Sequence, residues 1–176
     1  AENIKLNAIV YYPTENLVTE ERMFRDGQLH RTNEVPLDKV PVYLADDPDS
    51  IVIAPYLGTY FYLINTTRKP FDDVRVRKAL VMSIDRELLN ETVLEGIMDP
   101  SYALVPPGTL GYQPPKVFAY DPVQAKALLA EAGFPNGEGF PTFELLYNTQ
   151  ENHRKIAIAI QQMWQENLGI SVSLLN

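Results

Sequence analysis

From residue 51 onward, patterns typical of strands and of helices alternate along the chain, and this alternation constrains the fold more than any other feature. Residues 56–65 give the strongest strand pattern, because four aromatic residues, two leucines and an isoleucine fall within ten positions. Further on, helices are predicted for residues 72–82, 85–94, 122–132 and 150–167, and strands for residues 143–147 and 170–175. The expected class is therefore α/β.

Local start and stop signals set the ends of the predicted helices. Asp121 before Pro122 is typical of an N-cap followed by the first helical residue, and Gly133 is typical of the C′ position. Thr149 is the expected N-cap of the last helix. We expect that helix to bury one apolar stripe: Ile156, Ile160, Met163, Trp164 and Leu168.

The first fifty residues give shorter and weaker signals. Residues 15–25 predict an amphipathic helix that Asp26-Gly27 ends. Strands are expected at residues 4–12, 28–31, 42–44 and 51–54.

Composition excludes several classes of function. The net charge of −8 argues against a nucleic-acid partner, because phosphate binding needs a basic surface. The absence of cysteine excludes disulfides, thiolate zinc sites and a cysteine nucleophile. The two histidines, His30 and His153, stand in unrelated contexts, and no HExxH, GxSxG, GxxxxGK or GxGxxG motif occurs. We therefore expect neither an enzyme nor a cofactor or metal site.

Residues 55–86, PYLGTYFYLINTTRKPFDDVRVRKALVMSIDR, resemble the central region of the family 5 solute-binding proteins, the oligopeptide and dipeptide receptors of ABC importers. An aromatic strand ending in Asn is followed there by a Pro-Phe pair, an Asp, a Val-Arg pair, an Ala and an Ile-Asp-Arg run. The matching residues are Asn65, Pro70, Phe71, Asp73, Val76, Arg77, Ala79, Ile84, Asp85 and Arg86. Pro106-Pro107-Gly108 is similar to the family's proline loop, and the order and spacing hold over about residues 51–176.

The resemblance implies a fragment of a type II periplasmic-binding-protein fold, a two-lobed clamshell with a mixed sheet and flanking helices. Residues 1–55 would end the first lobe, and residues 56–176 would form part of a peptide-binding second lobe that continues beyond this chain. The implied function is an exported receptor, periplasmic or at the cell surface, that binds oligopeptides and delivers them to ABC permease subunits in the membrane. Its export signal would lie outside this sequence, which opens AENIKLNAIV.

The resemblance also suggests ligand-binding residues. Tyr56, Phe61 and Leu63 fall on the aromatic segment, whereas core packing is the preferred interpretation for Tyr60, Tyr62, Ile64 and Trp164. His153 is similar to a family histidine near the ligand's C-terminal carboxylate, although a surface histidine is the plainer reading. The remaining candidates lie on loops, namely Asn33, Tyr147, Asn148 and Gln150. Leu63 and Leu94 stand where relatives carry charged residues, which implies a more apolar pocket.

Two alternatives stay open. A receptor of the same fold could take an oligosaccharide or another small solute, because aromatic side chains also stack on sugars. A free-standing interaction domain without a transport function is the second alternative.

Overall fold

The structure, a computed structural model, describes residues 5–176. Their Cα positions divide into two compact units, and the second unit begins at Ile53. The strand predicted for residues 4–12 lies partly outside the described residues, and residues 5–12 are irregular. No helix within residues 5–176 combines the length and the apolar character that a membrane crossing requires.

Two helices form the first unit, α1 (Leu17–Arg25) and α2 (Val40–Asp46), with 3-10 turns at Leu37–Lys39 and Pro48–Ser50. The predicted helix is confirmed, and its N-cap is Asn16, whose side chain accepts a hydrogen bond from Thr19 N at 2.9 Å. The two helices are joined where the Tyr43 hydroxyl donates to the buried Glu21 carboxylate at 3.0 Å.

The strands predicted in this part of the chain are wrong. The amides of Gln28 and Leu29 turn back onto the carbonyl of Met23 at the end of α1, so they are not available to a strand ladder. Residues 42–44 lie inside α2, where the neighbouring proline suits the first helical turn. Residues 51–54 are irregular.

The second unit contains four helices and two strands in the order α3 (Val74–Met82), α4 (Arg86–Val93), α5 (Pro122–Glu131), β1 (Phe143–Leu146), α6 (Glu151–Leu168) and β2 (Val172–Leu175). The strands pair in parallel, with Phe143 opposite Val172 and Leu146 opposite Leu175, and α6 makes the crossover between them. The α/β class is confirmed. Within the described residues the sheet consists of these two parallel strands, without an antiparallel partner.

Aspartate side chains begin three of these helices, and for α5 the sequence predicts the capping residue. Asp73, Asp85 and Asp121 accept hydrogen bonds from the amides of the first turns of α3, α4 and α5, at 2.8–3.0 Å. The N-cap of α6, however, is Gln150 rather than Thr149. A long side chain rarely caps a helix, so the sequence favoured the hydroxyl beside it.

The core of the second unit lies between α3, α5, α6 and the sheet. Ala79, Ala125 and Ala157 are completely buried, which lets the helices approach closely. Trp164 is 6% exposed, and its indole N–H donates to the carbonyl of Leu80 at 3.0 Å. The predicted stripe of α6 is confirmed except at Met163, which is half-buried.

Residues 56–65 form no strand, which contradicts the strongest strand prediction. A strand requires a neighbour to pair with its backbone, and β1 and β2 pair only with each other among the described residues. The side chains still alternate, because Tyr62 and Ile64 are half-buried whereas Phe61 and Leu63 are exposed. The segment therefore keeps the two-sided pattern of a strand without its ladder.

Candidate functional site

The candidate site lies where β1 and β2 end. Because the strands are parallel, both carboxyl ends meet at one edge of the sheet, the edge where α/β proteins bind ligands. Just beyond this edge, Tyr147 N donates to Leu175 O at 3.0 Å, and the Thr149 hydroxyl donates to Asn176 Oδ1 at 3.1 Å. The loop that leads from β1 into α6 is thus held against the end of β2.

This loop and the first turn of α6 bring three predicted site residues together. Gln150 Oε1 accepts from the backbone N–H of His153 at 2.8 Å, and Gln150 N donates to Asn148 O at 2.7 Å. His153 Nδ1 is hydrogen-bonded to Asn148 Oδ1. An amide oxygen can only accept, so Nδ1 carries the proton and the orientation of the imidazole is defined.

Tyr60 completes this group and was not among the predicted site residues. Its ring stacks on the His153 imidazole, with centroids 4.2 Å apart and planes inclined by 17°. Its hydroxyl donates to the hydroxyl of Tyr62 at 3.2 Å, and burial raises the pKa of Tyr62 well above its ordinary value. The interpretation of Tyr60 as core is wrong, since the residue is 46% exposed.

Tyr60 lies two positions before Tyr62, so the alternation of a strand places the two side chains on the same side of the segment. The sequence predicts core packing for that entire side. In the structure, the half-buried side contains Tyr62 and Ile64, whereas Tyr60 packs against a histidine on α6. Sequence spacing alone could not place the two rings in contact, because they lie far apart along the chain.

The other predicted site residues lie outside this group, and most of them are exposed. Tyr56 and Leu63 are 86% and 88% exposed, Phe61 is 53% exposed, and Tyr147 is half-buried. Asn33 belongs to the first unit, where its backbone N–H donates to Glu20 Oε1 at 2.8 Å and its side chain is exposed.

Leu94, which the sequence suggested would make the pocket more apolar, is buried at 7% exposure beside the end of α4. Its side chain therefore belongs to the core of the second unit.

The group formed by Tyr60, Asn148, Gln150 and His153 is suited to binding. Aromatic faces, amides and an imidazole can together contact apolar surface and hydrogen-bond the polar groups of a ligand. Among residues 5–176, no cluster of three or more His, Asp or Glu side chains has the spacing to hold a metal ion.

Comparison with known proteins identifies the family. The whole chain, residues 1–176, matches the bacterial extracellular solute-binding proteins, family 5 Middle. A periplasmic oligopeptide-binding protein, OppA of Salmonella typhimurium, is 38% identical over 97% of this chain, and a probable deoxycholate-binding periplasmic protein, YgiS of Escherichia coli, is 34% identical over 99%. The crystal structure of a periplasmic oligopeptide-binding protein from Borrelia burgdorferi superposes with a TM-score of 0.84 at 35% identity, covering 98% of this chain and 34% of that one.

The chain spans 33% of the length of each of these two curated relatives. Its α/β architecture is that of part of a type II periplasmic-binding-protein fold. The chain belongs to the family 5 bacterial extracellular solute-binding proteins, a family of solute receptors.

Proposed function

We propose that this chain is the central part of a receptor that binds oligopeptides outside the cytoplasm and delivers them to the permease of an ABC importer. Residues 1–55 would end the first lobe, and residues 56–176 would form part of the second. The division into two compact units, the second beginning at Ile53, supports this assignment. The oligopeptide-binding and periplasmic relatives support both the ligand class and a periplasmic or cell-surface location.

The observation that carries the proposal is the His153 group at the carboxyl edge of the sheet. A peptide that leaves water must regain hydrogen bonds for its backbone amides and for its charged ends. The Asn148 amide fixes the imidazole of His153, and the Tyr60 ring supports one of its faces. An imidazole held in this way can donate a hydrogen bond to a carboxylate, while the exposed Phe61 provides adjacent apolar surface.

The proposed ligand-binding residues are those that the sequence predicted, together with Tyr60. Asn148, Gln150 and His153 would make polar contacts, and Tyr56, Phe61, Leu63 and Tyr147 would contribute surface for side chains of varied size. Asn33 would act from the first lobe.

The test uses the full-length protein and two forms of one peptide, one with a free C-terminal carboxylate and one with a C-terminal amide. We expect His153→Ala to weaken binding of the carboxylate form by about 1–3 kcal/mol, the usual value of a charge-assisted hydrogen bond, and to leave the amide form nearly unchanged. Calorimetry measures both, and His30→Ala serves as the control.

Equal losses for the two peptides would mean that His153 supports the loop and does not contact charge. No binding of either peptide by the unmodified protein would overturn the proposed function itself.

A receptor for another small solute is the second candidate. The relative described as a probable deoxycholate-binding protein and the largely exposed Tyr56 and Leu63 favour it, because an apolar surface suits a lipid-like or ring-shaped ligand. Mass spectrometry of the ligand that co-purifies with the full-length protein distinguishes the two candidates directly.

A further inference from the structure

One carboxylate holds both ends of the proline-containing loop that follows α4. Glu87 Oε2 accepts a hydrogen bond from the Tyr102 hydroxyl at 2.5 Å, and Glu87 Oε1 forms an ion pair with Lys116 Nζ at 3.3 Å. Tyr102 precedes Pro106 in the loop, and Lys116 directly follows Pro115. We call Arg86, Glu87, Tyr102 and Lys116 the loop clasp.

The Tyr102 ring lies at the centre of the clasp. The Arg86 guanidinium carbon is 4.9 Å from the ring centroid, and the Lys116 ammonium is 5.3 Å from it, which are both cation–π distances. Burial, and then the hydrogen bond to Glu87, raise the pKa of Tyr102 to about 12. The phenol is therefore a stable donor at neutral pH.

The loop between these anchors is closed by its own backbone. Gly108 N donates to Tyr112 O at 2.8 Å, and Tyr112 N donates to Thr109 O at 2.9 Å. Nearer its beginning, the loop meets the aromatic segment, because the Thr59 hydroxyl donates to Leu104 O at 2.8 Å. Thr59 directly precedes the tyrosine that stacks on His153.

We propose that the loop clasp positions Tyr60: Glu87 fixes residues 103–115 on α4, the carbonyl of Leu104 fixes Thr59, and Thr59 holds the Tyr60 ring against His153. The positioning of Tyr60 against His153 involves only residues of this chain and does not depend on a ligand. Its consequence for ligand affinity rests on the proposed function.

The direct readout is the NMR signal of the His153 imidazole protons in the full-length protein, assigned by its disappearance in His153→Gln. A stacked tyrosine displaces these signals by its ring current. We expect Glu87→Gln, Tyr102→Phe and Thr59→Val each to move them toward the position of an exposed histidine. Glu91→Gln and Thr92→Val, which are matched changes at exposed positions of α4, should leave them in place.

Hydrogen exchange separates the two steps of the argument. Glu87→Gln and Tyr102→Phe should accelerate exchange of residues 103–115 about fivefold, as expected when a partly exposed ion pair and hydrogen bond are lost. Thr59→Val should leave the exchange near Tyr102 and Lys116 unchanged. Unaltered protection in α6 shows that each variant is folded.

If hydrogen exchange in residues 103–115 becomes faster but the NMR signal of the His153 imidazole does not move, the clasp anchors only the loop and the proposal is wrong. Unchanged exchange and an unmoved signal would overturn it as well. If the clasp also serves binding, Glu87→Gln and Thr59→Val should weaken a peptide about three- to tenfold in parallel. A parent protein that binds no peptide would refute the proposed function, whereas the NMR result would still decide the positioning.

Discussion

Trp164 shows how one residue can link three elements of the core. It lies on α6, its indole N–H bonds to a carbonyl at the end of α3, and its ring packs beside Phe143 of β1 with centroids 5.7 Å apart. Phe143 in turn contacts Phe71 and Phe140, so an aromatic cluster continues from the core towards the loops. Trp164 therefore contributes packing, and its indole N–H finds a hydrogen-bond partner inside the core.

Truncating this residue should be costly. We expect Trp164→Ala to lower the free energy of unfolding by about 3–5 kcal/mol, because it removes a large buried ring and leaves a cavity. Trp164→Phe keeps an aromatic ring but loses the hydrogen bond to Leu80, and should cost less. Denaturant unfolding measures both, with the exposed Ile158→Ala on the same helix as control. A loss below about 1 kcal/mol for Trp164→Ala would contradict the buried position.

Gly169 is needed for two separate reasons at the end of α6. Its φ is +71°, and a Cβ added there would collide with the backbone carbonyl oxygen of Asn136. Gly139 has a similar φ of +74°, but an added Cβ would meet nothing within 4 Å. Gly139→Ala therefore isolates the conformational cost, which is about 1–2 kcal/mol.

We expect Gly169→Ala to destabilise the protein by clearly more than Gly139→Ala, because the backbone of the neighbouring turn must also move. Thermal and denaturant unfolding of the two variants provide the comparison. Equal losses in the free energy of unfolding would indicate that the turn at residues 135–137 can move away from the added methyl group at no energetic cost.

Single residues also show how far the sequence could predict the site. Asp121, which begins α5, was correctly predicted, because a cap depends on residues within one turn of it. Asn148 and Gln150 were predicted as candidates on a loop, and the structure joins them to His153. The stacking of Tyr60 on His153 could not be predicted, since it depends on how two distant segments pack.

At the scale of elements, helices were predicted better than strands. The stripe of α6 repeats from Ile156 to Leu168, and its burial follows from that periodicity. Residues 56–65 have a stronger strand composition than β1 or β2, yet only the latter pair. A segment rich in β-branched and aromatic residues is suited to a strand, but its backbone forms a hydrogen-bonded ladder only when another strand lies beside it.

The loop clasp gives α4 a pH dependence. The hydrogen bond from Tyr102, and then that from Lys116, lower the pKa of Glu87 below its ordinary value. A carboxylate whose pKa is lower in the folded protein than in the unfolded chain stabilises the folded state at pH values above the unfolded-chain pKa. This contribution to the free energy of unfolding is lost as the pH falls through the lower pKa of the folded protein. Because the Glu87 side chain is 46% exposed, solvent screens its ion pair and the effect should remain below about 1 kcal/mol.

We therefore expect Glu87→Gln to be less stable than the parent protein at neutral pH and to approach its stability in acid, below the ordinary glutamate pKa. Denaturant unfolding across that pH range measures the difference, with Glu91→Gln as control. A difference that does not vary with pH would mean that the charge of Glu87 contributes nothing.

At the scale of the whole molecule, the sheet of the described residues has only two strands, and large apolar side chains near the start of the second unit are exposed. The chain spans 33% of its oligopeptide-binding relative, and Tyr56, Leu57 and Leu63 are each more than 75% exposed. Exposed apolar surface of this kind is typical of an interaction site or of a face that further sequence covers. The resemblance of residues 55–86 predicted the family, but composition and spacing could not identify the ligand.

The final prediction concerns what residues 1–176 can do alone. Binding orders a flexible peptide and removes its polar groups from water, and only contacts in excess of these costs appear as affinity. In the proposed receptor this chain supplies only some of those contacts, so the isolated chain should bind peptides more weakly than about 10 µM. The full-length protein should bind the same peptides with submicromolar affinity.

Calorimetry on both proteins compares their affinities, and circular dichroism of the isolated chain verifies that its helices are formed. Submicromolar binding by the folded 176-residue chain would show that closure of a second lobe is not required for recognition.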